Sequence, residues 1–151
     1  MPRRSRIAVP HYPHHIVQRG HNRRAVFVTD QDRLSYLETL QEFRLALELK
    51  VYSYCLMTNH VHLIVDPGAD AANLGLLVKR LTGRHTRRIN RLEHRTGTSW
   101  EGRFTARSNL NATCSRARAT SISTLCAPAL WRRRSSMLGP AIIVLGCYRE
   151  R

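Results

Sequence analysis

Polar and apolar residues alternate through His14-His15-Ile16-Val17-Gln18-Arg19, which predicts a strand stopped by Gly20 and the polar His21-Asn22-Arg23-Arg24 loop. Ala25-Val26-Phe27 is a short apolar continuation. The period then lengthens: Leu37, Leu40, Phe43 and Leu47 recur at helical intervals behind Thr29-Asp30, an N-cap with acidic Asp32 in the first turn. A helix is expected over about residues 31 to 49, with Glu38, Glu42 and Glu48 on its solvated face. Val51 to Met57 reads as a strand, Thr58-Asn59 as a tight turn, and residues 60 to 65 as the returning strand of a hairpin. On that strand His60 and His62 project to one side while Val61, Leu63 and Val65 bury the other. Asp66-Pro67-Gly68-Ala69-Asp70 is a turn-rich connection. A second helix is expected from about Asn73 to Leu92, with Leu74, Val78, Leu81, His85 and Ile89 as its buried stripe.

The length of 151 residues suits one domain with enough apolar content for a core. No apolar run approaches a membrane span, and the arginine-rich start lacks the apolar segment of a signal peptide. The expectation is therefore a cytoplasmic, nucleoid-associated protein with no membrane partner. Cys55, Cys114, Cys126 and Cys147 are too widely spaced for a zinc knuckle or a disulfide framework, and reduced thiols are expected. The formal net charge of +15, carried almost wholly by arginine, changes the picture more. Such an excess reads as a phosphate-binding surface, because each neutralised phosphate releases counterions and adds sequence-independent affinity. On the second helix Lys79, Arg80, Arg84, Arg87, Arg88 and Arg91 line one face without alternating signs, as a phosphate-tracking face would.

Two imidazoles side by side suit joint ligation of one divalent ion through neutral ring nitrogens, leaving positions for other ligands, water or a phosphate oxygen. For His14 and His15, strand-edge packing is the expectation instead. The words around the pair are more specific. Tyr54-Cys55-Leu56-Met57-Thr58-Asn59-His60-Val61-His62-Leu63 resembles the signature of the single-tyrosine HUH transposases, in particular the REP-associated tyrosine transposases. His15, Val17, Arg19, Gly20, Arg23 and Arg24 resemble that family's opening strand and loop, and Trp100-Glu101-Gly102-Arg103-Phe104 its Trp-x-Gly-Arg-Phe strand. With that last strand the order becomes βαββαβ, a ferredoxin-like α+β sandwich with an antiparallel sheet, helices on one face and the other free for DNA. The resemblance covers residues 3 to 104 and implies metal-dependent cleavage and rejoining of single-stranded DNA at hairpins through a tyrosine nucleophile, that is, DNA transposition. It implies Mg2+ or Mn2+ held by His60 and His62, and single-stranded or hairpin DNA held by Arg19, Arg23, Arg24, Lys79, Arg80, Arg84, Arg87, Arg88 and Arg103. A monomer or homodimer fits equally. A replication-initiator or relaxase relative also uses a His-hydrophobic-His triplet, but the Tyr-Cys-Leu-Met-x-Asn lead-in favours the transposases.

In that family the nucleophile comes from a last helix, in a Tyr-Ile-x-x-Asn-Pro-Val-like word whose Asn lies one turn beyond the Tyr and could complete the metal shell. No such word stands in this chain after Phe104, and the only later tyrosine is Tyr148. The composition also changes abruptly, with no acid between Glu101 and Glu150. The codons required across Ala119 to Pro128 permit a displaced frame that spells Tyr-Ile-Asp-Leu-Asn-Pro-Val-Arg-Ala. The expectation is therefore an HUH domain over residues 1–104 and an irregular or disordered basic tail over 105–151, translated out of frame after a frameshift near Phe104. No catalytic tyrosine is then in frame, and the enzyme is crippled. The alternative is a pseudoenzyme remnant that binds DNA hairpins without cutting them. Loss of the last helix would also leave the domain marginally stable.

Overall fold

The computed structural model describes residues 8–108 and 146–147. Strand β1 (His14–Arg19) leads through a 3-10 turn (His21–Arg23) to helix α1 (Asp30–Ala46). Strands β2 (Lys50–Met57) and β3 (His60–Asp66), helix α2 (Ala72–Leu92), and strands β4 (Thr105–Ser108) and β5 (Gly146–Cys147) follow. The sheet order is β4-β1-β3-β2-β5. β4, β1, β3 and β2 are antiparallel neighbours, and β5 adds two residues parallel to β2. This is the ferredoxin-like α+β sandwich expected from the sequence.

One face of the sheet carries the core. Ile16, Val51, Leu56, Val61, Leu63 and Val65 from the strands meet Tyr36 and Leu40 of α1 and Leu74, Leu77, Val78 and Leu81 of α2 in a single buried cluster. Both helices therefore lie on this face. Burying an aliphatic side chain of this size contributes about 1.5–3 kcal/mol relative to leaving it exposed, so the alternation along β3 decides which way the strand faces. The β2–β3 ladder runs from Lys50↔Asp66 to Met57↔His60 and contains a bulge between Val51 and Ser53.

Helix α1 starts where the sequence placed its cap. Thr29 Oγ1 accepts from the Asp32 amide at 3.2 Å, and Asp32 Oδ2 accepts from the Thr29 amide at 2.9 Å, a reciprocal capping box. The helix ends earlier than expected. Glu48 sits at φ +53°, the Glu48 amide donates to Leu45 O at 3.3 Å, and the Leu49 amide donates to Arg44 O at 2.8 Å. That is a Schellman ending with glutamate where glycine is usual, and buried Leu49 anchors it. Periodicity carried the prediction through to residue 49 because no glycine marked the stop.

The last strand is the larger correction. Residues 100–104, expected to be that strand, form an irregular segment, while β4 begins at Thr105 and pairs with β1 from Val17↔Thr105 to His14↔Ser108. Trp100 and Phe104 are both buried in the core, and Gly102 at φ +40° breaks the extended path between them. Glu101 N donates to Arg19 O at 2.8 Å and Trp100 bridges to Gly20, so the segment straps the end of β1. The strand that completes the sheet thus lies past Phe104, in the stretch assigned to the tail. Residues 109–145 and 148–151, where the rest of the tail expectation falls, lie outside the described residues. Among the described residues no helix is long and apolar enough to cross a membrane.

Candidate functional site

The sheet face away from the helices gathers the histidines. Opposed residues of antiparallel strands share a face, so the pairs Arg19↔His60, Val17↔His62 and Cys55↔His62 set His60, His62, Arg19 and Cys55 on the same side. The His60 and His62 rings lie 5.0 Å apart between centroids, edge to face. His15 of β1, one step along that face, stacks on His62 with centroids 5.2 Å apart and planes at 20°. Its Nε2 lies 3.0 Å from His62 Nδ1, and His60 Nδ1 lies 2.6 Å from Asn59 Oδ1. Each ring of the pair therefore spends its Nδ1 on a neighbour, and in each Nε2 is the nitrogen outside these bonds.

The electrostatics favour neutral imidazole. Burial, then the neighbouring His15, His60 and Arg19, push the His62 pKa down to about 4. Burial, then Arg19, lowers His60, and burial, then Arg107, lowers His15. A neutral imidazole is the form that ligates a metal, so the donor set fits a divalent cation as a two-nitrogen half-site. Among the described residues no group of three or more His, Cys, Asp or Glu side chains could hold a metal, so His15 stands beside the pair rather than completing a triad of ligands. The expectation that His15 packs as a strand-edge residue gives way to membership of this cluster. His14, one residue earlier, faces the other way, fully buried, with its Nε2 3.1 Å from the Val9 amide.

The loop after β1 is clamped to the hairpin turn. Gly20 N donates to Asn59 O at 2.7 Å, Val26 N to Thr58 O at 2.8 Å, and Asn59 Nδ2 to Arg23 O at 3.3 Å. Arg23 and Arg24 are exposed on this loop, near the His60 end of the sheet. Arg19, Arg23 and Arg24 are thus brought to one end of the described fold with the histidine pair, and Arg107 joins the histidine face through its pairing with His15.

The other arginines expected to meet DNA are elsewhere. Helix α2 lies on the opposite side of the sheet, and its basic face is partly spent on α1. Arg88 Nη1 donates to the buried Asp32 Oδ1 at 3.1 Å, and Arg84 donates Nη1 and Nη2 to the two Glu42 carboxylate oxygens while stacking on Phe43 at 4.5 Å. Arg80 also lies over Phe43, at 5.6 Å, and Arg87 is exposed. Sequence periodicity counted these cations as one face, but the few acids of α1 fall opposite two of them. Lys79 and Arg103 instead share a cleft of about 540 Å³ between α2 and the 97–104 segment.

The tyrosines have other occupations. Tyr36 is buried in the core and Tyr54 packs against it, burial raising the pKa of both hydroxyls. Tyr52 Oη donates to Asp66 Oδ2 at 3.5 Å, at the far end of β3 from His60, and Tyr12 lies edge-on to His14. Tyr148 lies outside the described residues. Burial pushes the Cys55 thiol up to about 11, which makes it a poor nucleophile.

The family model described as IS200-like transposase matches residues 8–124. Among solved structures, the chain is similar to a REP-associated tyrosine transposase bound to a REP hairpin. Identity is 15% and the TM-score 0.63, over 78% of this chain and 68% of that one. It is also similar to a candidate transposase from Deinococcus radiodurans R1, at 19% identity and a TM-score of 0.52 over 82% of this chain and 95% of that one. At these identities the likeness carries the fold. No curated protein matches the sequence.

Proposed function

The chain belongs to the IS200-like transposase family, and from that premise we propose that the sheet face bearing the histidines binds single-stranded or hairpin DNA beside a Mg2+ or Mn2+ ion held by His60 and His62. The observation that carries this reading is the pair itself: two neutral imidazoles on the sheet face away from α1 and α2, each with Nδ1 engaged, flanked by the cations of Arg19 and Arg107. The solved relative carrying a REP hairpin supports a hairpin as the form of DNA. A bound divalent ion would polarise the scissile phosphate and offset charge developing on it. Arg19, Arg23 and Arg24 would hold the backbone next to the pair, and Arg107 is the natural fourth. Lys79 and Arg103 could follow a strand that turns around the edge into their cleft.

The family's strand transfer needs an oxygen nucleophile: a tyrosine hydroxyl attacks phosphorus, a phosphotyrosine bond forms, and the 3'-oxygen leaves with its electron pair to be protonated as a free hydroxyl. In this chain the tyrosines at 12, 36, 52 and 54 have the surroundings described, and no Tyr-Ile-Asp-Leu-Asn-Pro-Val word follows Phe104, although the codons across Ala119 to Pro128 permit one in a displaced frame. We therefore assign to this chain the DNA- and metal-binding half of a transposase, and the cleaving half to the frame-restored gene product.

Incubation with a labelled palindromic hairpin and Mn2+, followed by denaturing electrophoresis, tests this. Retention of the hairpin on native gels without a denaturation-resistant adduct is the expected result. An adduct would overturn the crippled state, and no binding at low salt would overturn the DNA reading. Resequencing the gene across codons 100 to 151 tests the frame, and a reading in which no single-base change restores the word removes the frameshift.

A further inference from the structure

Resting on the metal reading above, we propose that His15 is a positioning residue for the metal site. Its Nε2 accepts a hydrogen bond from His62 Nδ1–H and so fixes His62 in the tautomer whose Nε2 lone pair faces a cation. The two imidazoles of the pair have matching surroundings. Asn59 Oδ1 accepts, so His60 Nδ1 must donate, at 2.6 Å, which leaves the His60 Nε2 lone pair for ligation. His62 has no such oxygen at its Nδ1. It has His15 Nε2, at 3.0 Å.

Two imidazole nitrogens at that distance share one proton, and only one assignment lets His62 work. If His15 donated, His62 Nδ1 would accept and its Nε2 would carry the hydrogen, leaving no lone pair outside the bond. If His62 donates, His15 is a neutral ring carrying its hydrogen on Nδ1, and both members of the pair present the same atom. With centroids 5.2 Å apart and planes at 20°, the two rings are held nearly parallel, so that His62 is fixed in rotation as well as in tautomer. The anchor comes from β1, a different strand, through the antiparallel register that puts His62 opposite Val17 and His15 opposite Ile64. Ring orientation at the site therefore depends on the β1–β3 pairing, not on the hairpin alone. Outer partners of this kind commonly change metal affinity by about 10- to 100-fold when removed.

The test uses the full chain and two variants, His15→Leu, which removes the acceptor, and His15→Gln, whose amide oxygen can replace it. Long-range 15N–1H correlation spectra of the side chains report the His62 tautomer without any metal, and titration calorimetry with Mn2+ reports affinity. We expect His62 as the Nδ1–H form in the parent and in H15Q. We also expect Mn2+ affinity lower by about 10- to 100-fold in H15L and close to the parent in H15Q. Amide dispersion in the same spectra shows whether H15L is folded, and H15Q stands as the test if it is not. An Nε2–H tautomer in the parent, parent-like affinity in folded H15L, or equal weakening in both variants would overturn the proposal. A parent chain with the Nδ1–H tautomer that takes up no Mn2+ would overturn the metal reading itself, and the spectrum tells that failure apart from the others.

Discussion

Gly20 shows how little room the site leaves. A Cβ there would stand 2.3 Å from Arg24 O and 2.9 Å from a Val26 methyl, closer than any real contact, so the loop bearing Arg23 and Arg24 would have to lift off Asn59. Gly20→Ala should cost roughly 1–3 kcal/mol, read as a lower urea midpoint at unchanged slope. Protonation is the second prediction at this scale. His62 titrates near 4 in the folded chain and near 6.5 as a free side chain, so between those values the unfolded chain binds more protons. Stability then falls as pH falls through that window and is fully present above 6.5. The urea midpoint should drop between pH 7 and about 4.5, and His62→Gln should flatten the slope; an unchanged slope would remove His62 as its cause. The orientation of His60 and His62 was legible from alternation alone, because a half-buried strand leaves one choice of face. His15 was not legible. Its role depends on β1 pairing with β3 across forty intervening residues, and a His-His dipeptide at a strand start carries no mark of which ring meets the site. Asn59 stood within the recognised word but read only as a turn residue.

At the scale of elements, each helix shows a place where local pattern met a tertiary partner. Asp32 was legible as an acid in the first turn of α1, but it also receives Arg88 from α2. It therefore joins helix start to helix packing, and Asp32→Ala should cost roughly 1–3 kcal/mol, more than an ordinary cap, because Arg88 loses its partner as well. The C-terminus of α1 points the other way. Glu48→Gly relieves a side chain held in the left-handed region and should stabilise by about 0.5–1 kcal/mol after the entropy of the unfolded glycine is counted. Thermal unfolding of that variant checks it, and a lower midpoint would show that the Glu48 side chain is worth more than the strain. The α2 arginines were legible as basic but not as paired, since a one-dimensional pattern cannot show which carboxylates sit across a helix interface. Arg84→Ala and Arg88→Ala should therefore leave the salt slope of hairpin binding unchanged. Arg19→Ala and Arg107→Ala should each lower it by about one.

For the molecule as a whole, element order and fold class were readable because five of the first six elements have strong periods and short connections. The fourth strand was misplaced because Trp100 and Phe104 are buried apolar anchors an even number of positions apart, a spacing that a strand and a strapped loop share. The net charge of +15 was legible as an attraction to polyanions. Among the described residues the cations divide across the sheet: Arg19 and Arg107 lie with the histidines, while Arg84 and Arg88 of α2 face away and are paired with acids of α1.

The bulge between Val51 and Ser53 gives the hairpin a built-in tolerance for insertion and deletion, at one end only. Tyr52 is the extra residue there, so its deletion shortens β2 without exchanging the faces of Tyr54, Cys55 or anything on β3. The same loss at Thr58 or Asn59, where no bulge can absorb it, would set the two strands out of phase and turn the imidazoles toward the core. Drift in chain length among relatives should therefore collect at the Val51 end and be purged from the turn.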